Sequence, residues 1–245
     1  KLNQRIHNLP EVDNIFVYPA MGDDGLSGGA AYIAYYEQAE VKDKKNGIIS
    51  DIYKGGEFTN EEIKTALDKN NVECEYFENV EVEIGRILAD SKVVGRFNGK
   101  MEYGPRSLGN RSIIASPFDP SINDWLNKKL NRTEFMPFAP SINREHAKDY
   151  FIGYKNKHVA ADYMTVTYDV IEEMKEKMPA VVHIDGTARP QIVDPKTNAS
   201  YHKIIDEFYK LSGVPVVLNT SFNIHEQPIV YSPQDAINGF LEGKL

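Results

Sequence analysis

Short apolar runs recur along the second half of the chain, at Val93-Val94, Ser112 to Ala115, Pro137 to Ile142, Met164 to Tyr168, Val181 to Ile184 and Val214 to Leu218. Each is too short for a helix and is bounded by polar or turn residues, so each predicts a strand. Between them apolar residues return every three or four positions, which predicts helices. One runs from Pro120 to Leu130, with Asp119 as cap and Pro120 in its first turn; another runs from Ser200 to Leu211 and stops at Gly213. A last helix opens at Ser232 with Pro233 at its start. Strands alternating with helices indicate an α/β fold, and spacing alone leaves open whether the sheet is parallel.

The first forty residues form a separate pattern. Asn14 to Pro19 reads as a short strand, Gly22-Asp23-Asp24-Gly25 as a turn, and Leu26 to Glu37 as a helix of small residues. The stretch from Val41 to Phe58 is polar and Gly-rich and has little apolar period with which to pack. Thr59 with Glu62 three residues later is a capping box that opens a helix through Ile63 and Leu67, ended by Asn70-Asn71. The expected organisation is therefore residues 1–40, a linker over 41–57, and a larger unit over 58–245.

Composition narrows the classes. No apolar run approaches the roughly 20 residues of a membrane-spanning helix, and the single cysteine, Cys74, excludes an internal disulfide and favours a reducing, cytoplasmic setting. The chain opens on Lys1-Leu2-Asn3 with neither an initiator Met nor a signal core, so it is expected to be a piece of something longer. A net charge of −8 argues against general nucleic-acid binding. Within that acidic chain, Arg96, Lys100, Arg106 and Arg111 face only Glu102 in sequence, a local charge of +3. A small anionic ligand is the expectation.

That segment, Gly99 to Ser112, has glycines where backbone must turn and cations that can hold phosphate or carboxylate oxygens. It is not a Walker loop: Gly95 stands one residue too close to Gly99-Lys100, and Met101 occupies the Ser or Thr position. By residue type alone it serves equally as a surface turn with solvated cations. A second candidate is the apolar strand that runs into Asn219-Thr220-Ser221-Phe222-Asn223, whose amides and hydroxyls can bind ribose, base or phosphate, or simply form Asx and Ser/Thr turns. A third is Val181 to Gln191, where alternation puts His183 and Asp185 on one strand face, as a site or as a buried, satisfied histidine. The histidines form no His-x-x-x-His pair; Asp23 and Asp24, on a turn before a helix, could reach a shared metal or act as a helix cap.

Taken in order, Gly22-Asp23-Asp24-Gly25 with Gly29-Ala30-Ala31, Gly99 to Ser112, Phe135 to Ser141, Asp185 to Gln191 and Asn219 to Asn223 resemble the carbamoyltransferase family of nodulation and antibiotic-tailoring O-carbamoyltransferases. The resemblance implies a YrdC-like twisted mixed sheet flanked by helices over residues 58–245. It implies that residues 1–40 are the strand-helix remnant of an actin-ATPase-like, Kae1-like domain. It further implies that the larger unit takes carbamoyl phosphate and ATP with Mg2+, forms carbamoyl-adenylate, and passes it to the Kae1-like domain for transfer to an acceptor hydroxyl on a small molecule or carbohydrate.

On that resemblance Lys100, Arg106 and Arg111 are catalytic, with Glu102, Gly104, Asn110, Ser112 and Arg132 beside them in binding. Asn219, Thr220, Ser221 and Asn223 contact nucleotide, and His183 and Arg189 line the site. Asp23 matches a metal-ligand aspartate, whose Fe2+ or other divalent ion belongs to the full-length Kae1-like domain. One departure stands out: Met136 occupies the place of the family's Arg before Pro137-Phe138-Ala139-Pro140, so the cation is expected from Lys128, Lys129 or Arg132. Two other readings stay open, a threonylcarbamoyl-adenylate synthase, against which the Asp23-bearing tail counts, and a non-catalytic nucleotide- or partner-binding module.

Overall fold

The computed structural model describes residues 1–38, 49, 51–131 and 137–245. Its main sheet has five strands: β1 (Val94–Phe97), β2 (Arg111–Ala115), β3 (Ala139–Asn143), β6 (Gln191–Val193) and β7 (Val216–Ser221). Two more, β4 (Tyr168–Asp169) and β5 (Thr187–Ala188), pair as a small ribbon. The order across the main sheet is β1-β2-β7-β3-β6; only β3 and β6 run parallel, so the sheet is mixed. Eight helices accompany it: α1 (Leu2–His7), α2 (Asp24–Gln38), α3 (Asn60–Lys69), α4 (Val80–Ala89), α5 (Ser121–Lys129), α6 (Glu172–Lys175), α7 (Ala199–Ser212) and α8 (Pro233–Gly243), counted among the described residues. Among those residues no helix is long and apolar enough to cross a membrane.

The central strands are apolar on both faces because both faces are covered. Ile113, Ile142, Val216 and Leu218 join the larger core with Leu126, Leu130 and Phe151. Ile114, Val193 and Val217 point the other way, into a core built with Ile84 and Leu88 of α4 and Tyr201, Ile204, Ile205 and Phe208 of α7. The helix ends follow the expected chemistry. Thr59–Glu62 and Ser232–Asp235 both close capping boxes, Asp119 accepts the Ser121 N–H, and Gly213 ends α7 at φ +74°.

Four expectations change. Asn14 to Pro19 is extended but joins no strand among the described residues; Asn14 Oδ1 takes the Ile15 N–H and its Nδ2 donates to the Lys157 carbonyl, so side-chain bonds replace a ladder. Val181 to Ile184 is not a strand: a 3-10 turn over Pro179–Val181 leads into a tight reversal at Gly186, φ +76°. His183 and Asp185 therefore share a turn, not a strand face. Of Met164 to Tyr168 only Tyr168 is in a strand, because Met164 caps a 3-10 turn in the left-handed region. Finally, residues 51–57, expected as part of a linker, bury Ile52 against Leu108, Ala139 and Met164 and exchange backbone hydrogen bonds with Met101 and Tyr103.

The N-terminal segment docks through polar contacts. Asn3 and Gln4 of α1 reach the Thr165 carbonyl, Thr167 and Asp169, and His7 Nε2 lies 3.2 Å from His158 Nδ1. His158, 2% exposed, also accepts the Lys155 N–H and neighbours the Tyr168 hydroxyl. Burial, then the charges of His7, Lys155 and Lys157, push its imidazole down to about 4, against the weaker pull of Asp13. A histidine depressed in the fold leaves the unfolded chain binding more protons between its ordinary 6.5 and about 4. Stability is thus expected to fall as pH drops through that window. Chemical denaturation at several pH values checks this: a His158→Gln variant, which cannot protonate, should lose less stability over the same interval than the parent.

Candidate functional site

In the connection from β1 to β2, residues 98–110, Met101 and Tyr103 pair with the backbone of residues 52–56, and side chains satisfy many of the remaining buried peptide groups. Glu102 is buried, and its Oε1 accepts the N–H groups of Leu108 and Asn110 at 2.7 Å each and of Arg111 at 3.3 Å. Burial pushes this carboxyl up, while those N–H groups hold it down. Arg111 is 0% exposed; its guanidinium donates to the carbonyls of Asn98, Gly99, Asn110 and Gly56 and lies 3.8 Å over the Phe97 ring. Arg96 donates to the Gly109 carbonyl and to Ser200. Ser112 Oγ accepts the Gly109 N–H, and Asn110 bridges the Lys100 carbonyl and Asn198.

Two glycines make the path possible. Gly104, at φ +113°, lies so close to the N-terminal segment that a Cβ would stand 2.8 Å from the Pro19 carbonyl oxygen. Gly109, at φ +115°, presses on the Tyr201 ring, where a Cβ would come within 2.5 Å.

The loop then ends as one wall of a cavity of about 250 Å³. Arg106 and Ser107 come from the loop, Asn219, Thr220 and Ser221 from the end of β7, and Arg189 from the turn before β6. Pro137, Phe138, Ala139 and Met164 supply the apolar side. The antiparallel pairing of Ser112 with Ser221 brings the basic loop and the amide-rich strand end together.

The two cations that line this cavity differ from Arg111. Burial lowers the Arg106 guanidinium, and burial followed by the charge of Arg106 lowers Arg189 to about 10. The Nε of each is buried and has no hydrogen-bond partner among the described residues. Two adjacent, partly desolvated guanidiniums repel each other and gain by sharing an anion.

The remaining sequence candidates are dispersed. Lys100 is exposed and does not line the cavity. Glu102, Asn110, Arg111 and Ser112 are occupied in holding the loop, and Gly104 shapes it. Asn223 takes the Ser221 hydroxyl and donates to the carbonyls of Ile224 and Gln227, forming the turn after β7. His183 bonds Thr187 and lines a neighbouring cavity of about 290 Å³ that shares Pro137 and Phe138 with the first; burial lowers its imidazole. Arg132 and Met136 lie outside the described residues. Of the cations proposed to replace the family Arg, Lys128 is exposed and Lys129 sits over the Trp125 ring; neither lines the cavity. Asp23 is exposed at the start of α2, and no group of three potential metal-ligating residues occurs among the described residues. Sequence reasoning did not single out Ser107 or Met164; a small hydroxyl and a left-handed Met carry no local signal of a cavity wall.

Residues 85–245 match the family described as carbamoyltransferase C-terminus. Protein MJ1051 of Methanocaldococcus jannaschii is 40% identical over 99% of this chain and 46% of its own length. Nodulation protein NolNO of Sinorhizobium fredii is 34% identical over 100% of this chain and 36% of its own length. The chain thus spans less than half the length of these curated relatives. A full-length HypF crystallised in a phosphate- and nucleotide-bound form overlaps 70% of this chain and 21% of its own, with 16% identity and a TM-score of 0.47.

The two classes of arginine are expected to separate in stability measurements. Arg111→Ala strands several buried carbonyls and should cost about 3 kcal/mol or more. Arg106→Ala relieves repulsion with Arg189 and should change unfolding free energy by less than about 1 kcal/mol. Urea unfolding of both variants decides the matter.

Proposed function

This chain belongs to the carbamoyltransferase C-terminus family, and from that premise we propose that its basic cavity binds carbamoyl phosphate with ATP and forms carbamoyl-adenylate. The observation that carries the proposal is the pair Arg106 and Arg189, two cations with no carboxylate partner among the described residues, which line one cavity together with Thr220 and Ser221 at the end of β7. Carbamoyl phosphate and ATP crowd phosphate oxygens into a small volume, and fixed guanidiniums neutralise and align them at no further cost of reorganisation. Arg106 is assigned to the phosphate oxygens during catalysis, with Arg189 beside it. Lys100, at the surface, and the buried Arg111 serve the reaction only through the loop that they belong to.

In this scheme one water molecule hydrolyses carbamoyl phosphate to carbamate and inorganic phosphate; a carbamate oxygen then attacks the α-phosphorus of ATP, and the bond to pyrophosphate breaks with its electron pair on the leaving group. No protein nucleophile is needed. The Phe138 and Met164 wall limits further water, which would hydrolyse the mixed anhydride once it has formed. The described residues offer no ligand cluster for Mg2+, so no step is assigned to it. Residues 1–40 are assigned to the end of a carbamoyl-transfer domain that continues outside this chain; exposed Leu2, Phe16, Leu26 and Ile33 support a covering partner there. Asp23 is one proposed ligand of that domain's divalent metal, and the acceptor hydroxyl is likewise assigned to it.

The intact protein containing this chain should release pyrophosphate from ATP when given carbamoyl phosphate and should not do so with threonine and bicarbonate. Arg106→Ala should slow that release by about 100-fold or more. Unchanged release in this variant, or equal release with threonine and bicarbonate, would refute the assignment.

A further inference from the structure

The hydrogen bonds behind the cavity have a fixed direction. Gln191 Nε2 donates to the Leu108 carbonyl at 2.7 Å, which leaves Gln191 Oε1 as an acceptor. That oxygen takes the Ser141 hydroxyl at 2.7 Å and Asn219 Nδ2 at 2.9 Å. Asn219 Nδ2 also faces the Ser107 carbonyl at 3.1 Å. Turning the Asn219 amide over would set its oxygen against two acceptors, so its orientation is determined by its neighbours.

Asn219 Oδ1 is then an acceptor with nothing to accept. Asn219 is 1% exposed and contributes to the cavity wall, and its Oδ1 has no partner among the described residues. A buried, unpaired amide oxygen is costly and calls for an explanation, of which a ligand donor is one. The charged groups of the same wall, Arg106 and Arg189, are donors only. The complementary ligand carries anionic oxygens and, at one point, an N–H group.

We propose that Asn219 Oδ1 accepts the amino group of the carbamoyl moiety and so distinguishes carbamoyl phosphate from acyl phosphates that present a methyl group at that place. The inference rests on the cavity being the carbamoyl phosphate site, as argued above. A methyl group in that position leaves the oxygen buried and unpaired, whereas the amino group satisfies it. Selectivity at this point acts on the ligand before any adenylate forms.

Phosphonoacetamide and acetonylphosphonate differ only in NH2 against CH3, and neither is an acyl phosphate that decays during titration. Calorimetric titration of the intact protein should find phosphonoacetamide bound about 10-fold or more tighter. In Asn219→Ala the ratio should fall to about twofold or less, although both affinities also drop as the loop loses the Nδ2 contacts. Asn219→Val, which keeps a strand-favouring side chain of similar size without an acceptor, replaces Asn219→Ala if the latter does not fold. Equal binding of the two compounds to the parent protein, or a ratio that survives in the variant, overturns the role of Asn219 alone. If the parent protein binds neither compound, the reading of the cavity itself falls.

Discussion

A loop that carries charge into a protein interior must first satisfy its own peptide groups. Here one carboxylate and one guanidinium do so, Glu102 gathering three N–H groups and Arg111 four carbonyls along residues 98–111 and Gly56. Each charge is buried, so neither is cheap to keep; their value lies in the many backbone partners that each replaces for water. Removing either leaves the loop without a defined path, and with it the position of everything that the loop presents to the cavity.

This division of labour explains why a local excess of positive charge does not translate into four ligand-binding cations. Arg96 and Arg111 are committed to carbonyl oxygens, and Lys100 lies in solvent. Of these four cations Arg106 is the one that lines the cavity, and its companion, Arg189, arrives from a stretch more than eighty residues later in sequence. Their mutual repulsion is tolerated because the web of Asn219, Gln191 and Ser141 holds the strands and loop behind them. Groups poised against one another in this way are typical of sites where a ligand supplies the missing charge.

The N-terminal segment is coupled to the same loop. Gly104 turns where Pro19 approaches, the Tyr103 hydroxyl donates to the Asp24 carbonyl, and α1 seats His7 beside His158. Residues 51–57 add a second layer by pairing with residues 101–103. A change in how residues 1–38 sit would therefore be felt at the basic loop through direct contacts such as those of Gly104 and Tyr103.

Local chemistry was readable from the sequence alone: capping boxes at Thr59 and Ser232, the Gly213 stop, the apolar runs of the central strands, and the glycines and cations of the loop before β2. These depend on neighbours within a few residues, which the chain order itself supplies. Val80, Ile84 and Leu88 of α4 carry a helical spacing of the same local kind. The sequence also ordered the motifs that resemble one family. What it could not decide was which polar residues spend their hydrogen bonds on the fold. Arg106 and Arg111 are indistinguishable as letters, and only the closure of the loop onto Gly56 and the arrival of Arg189 separate a structural cation from an available one. The run at Val181 looked like a strand because apolar content marks burial, whereas a strand also requires a partner, and partners are chosen by tertiary structure.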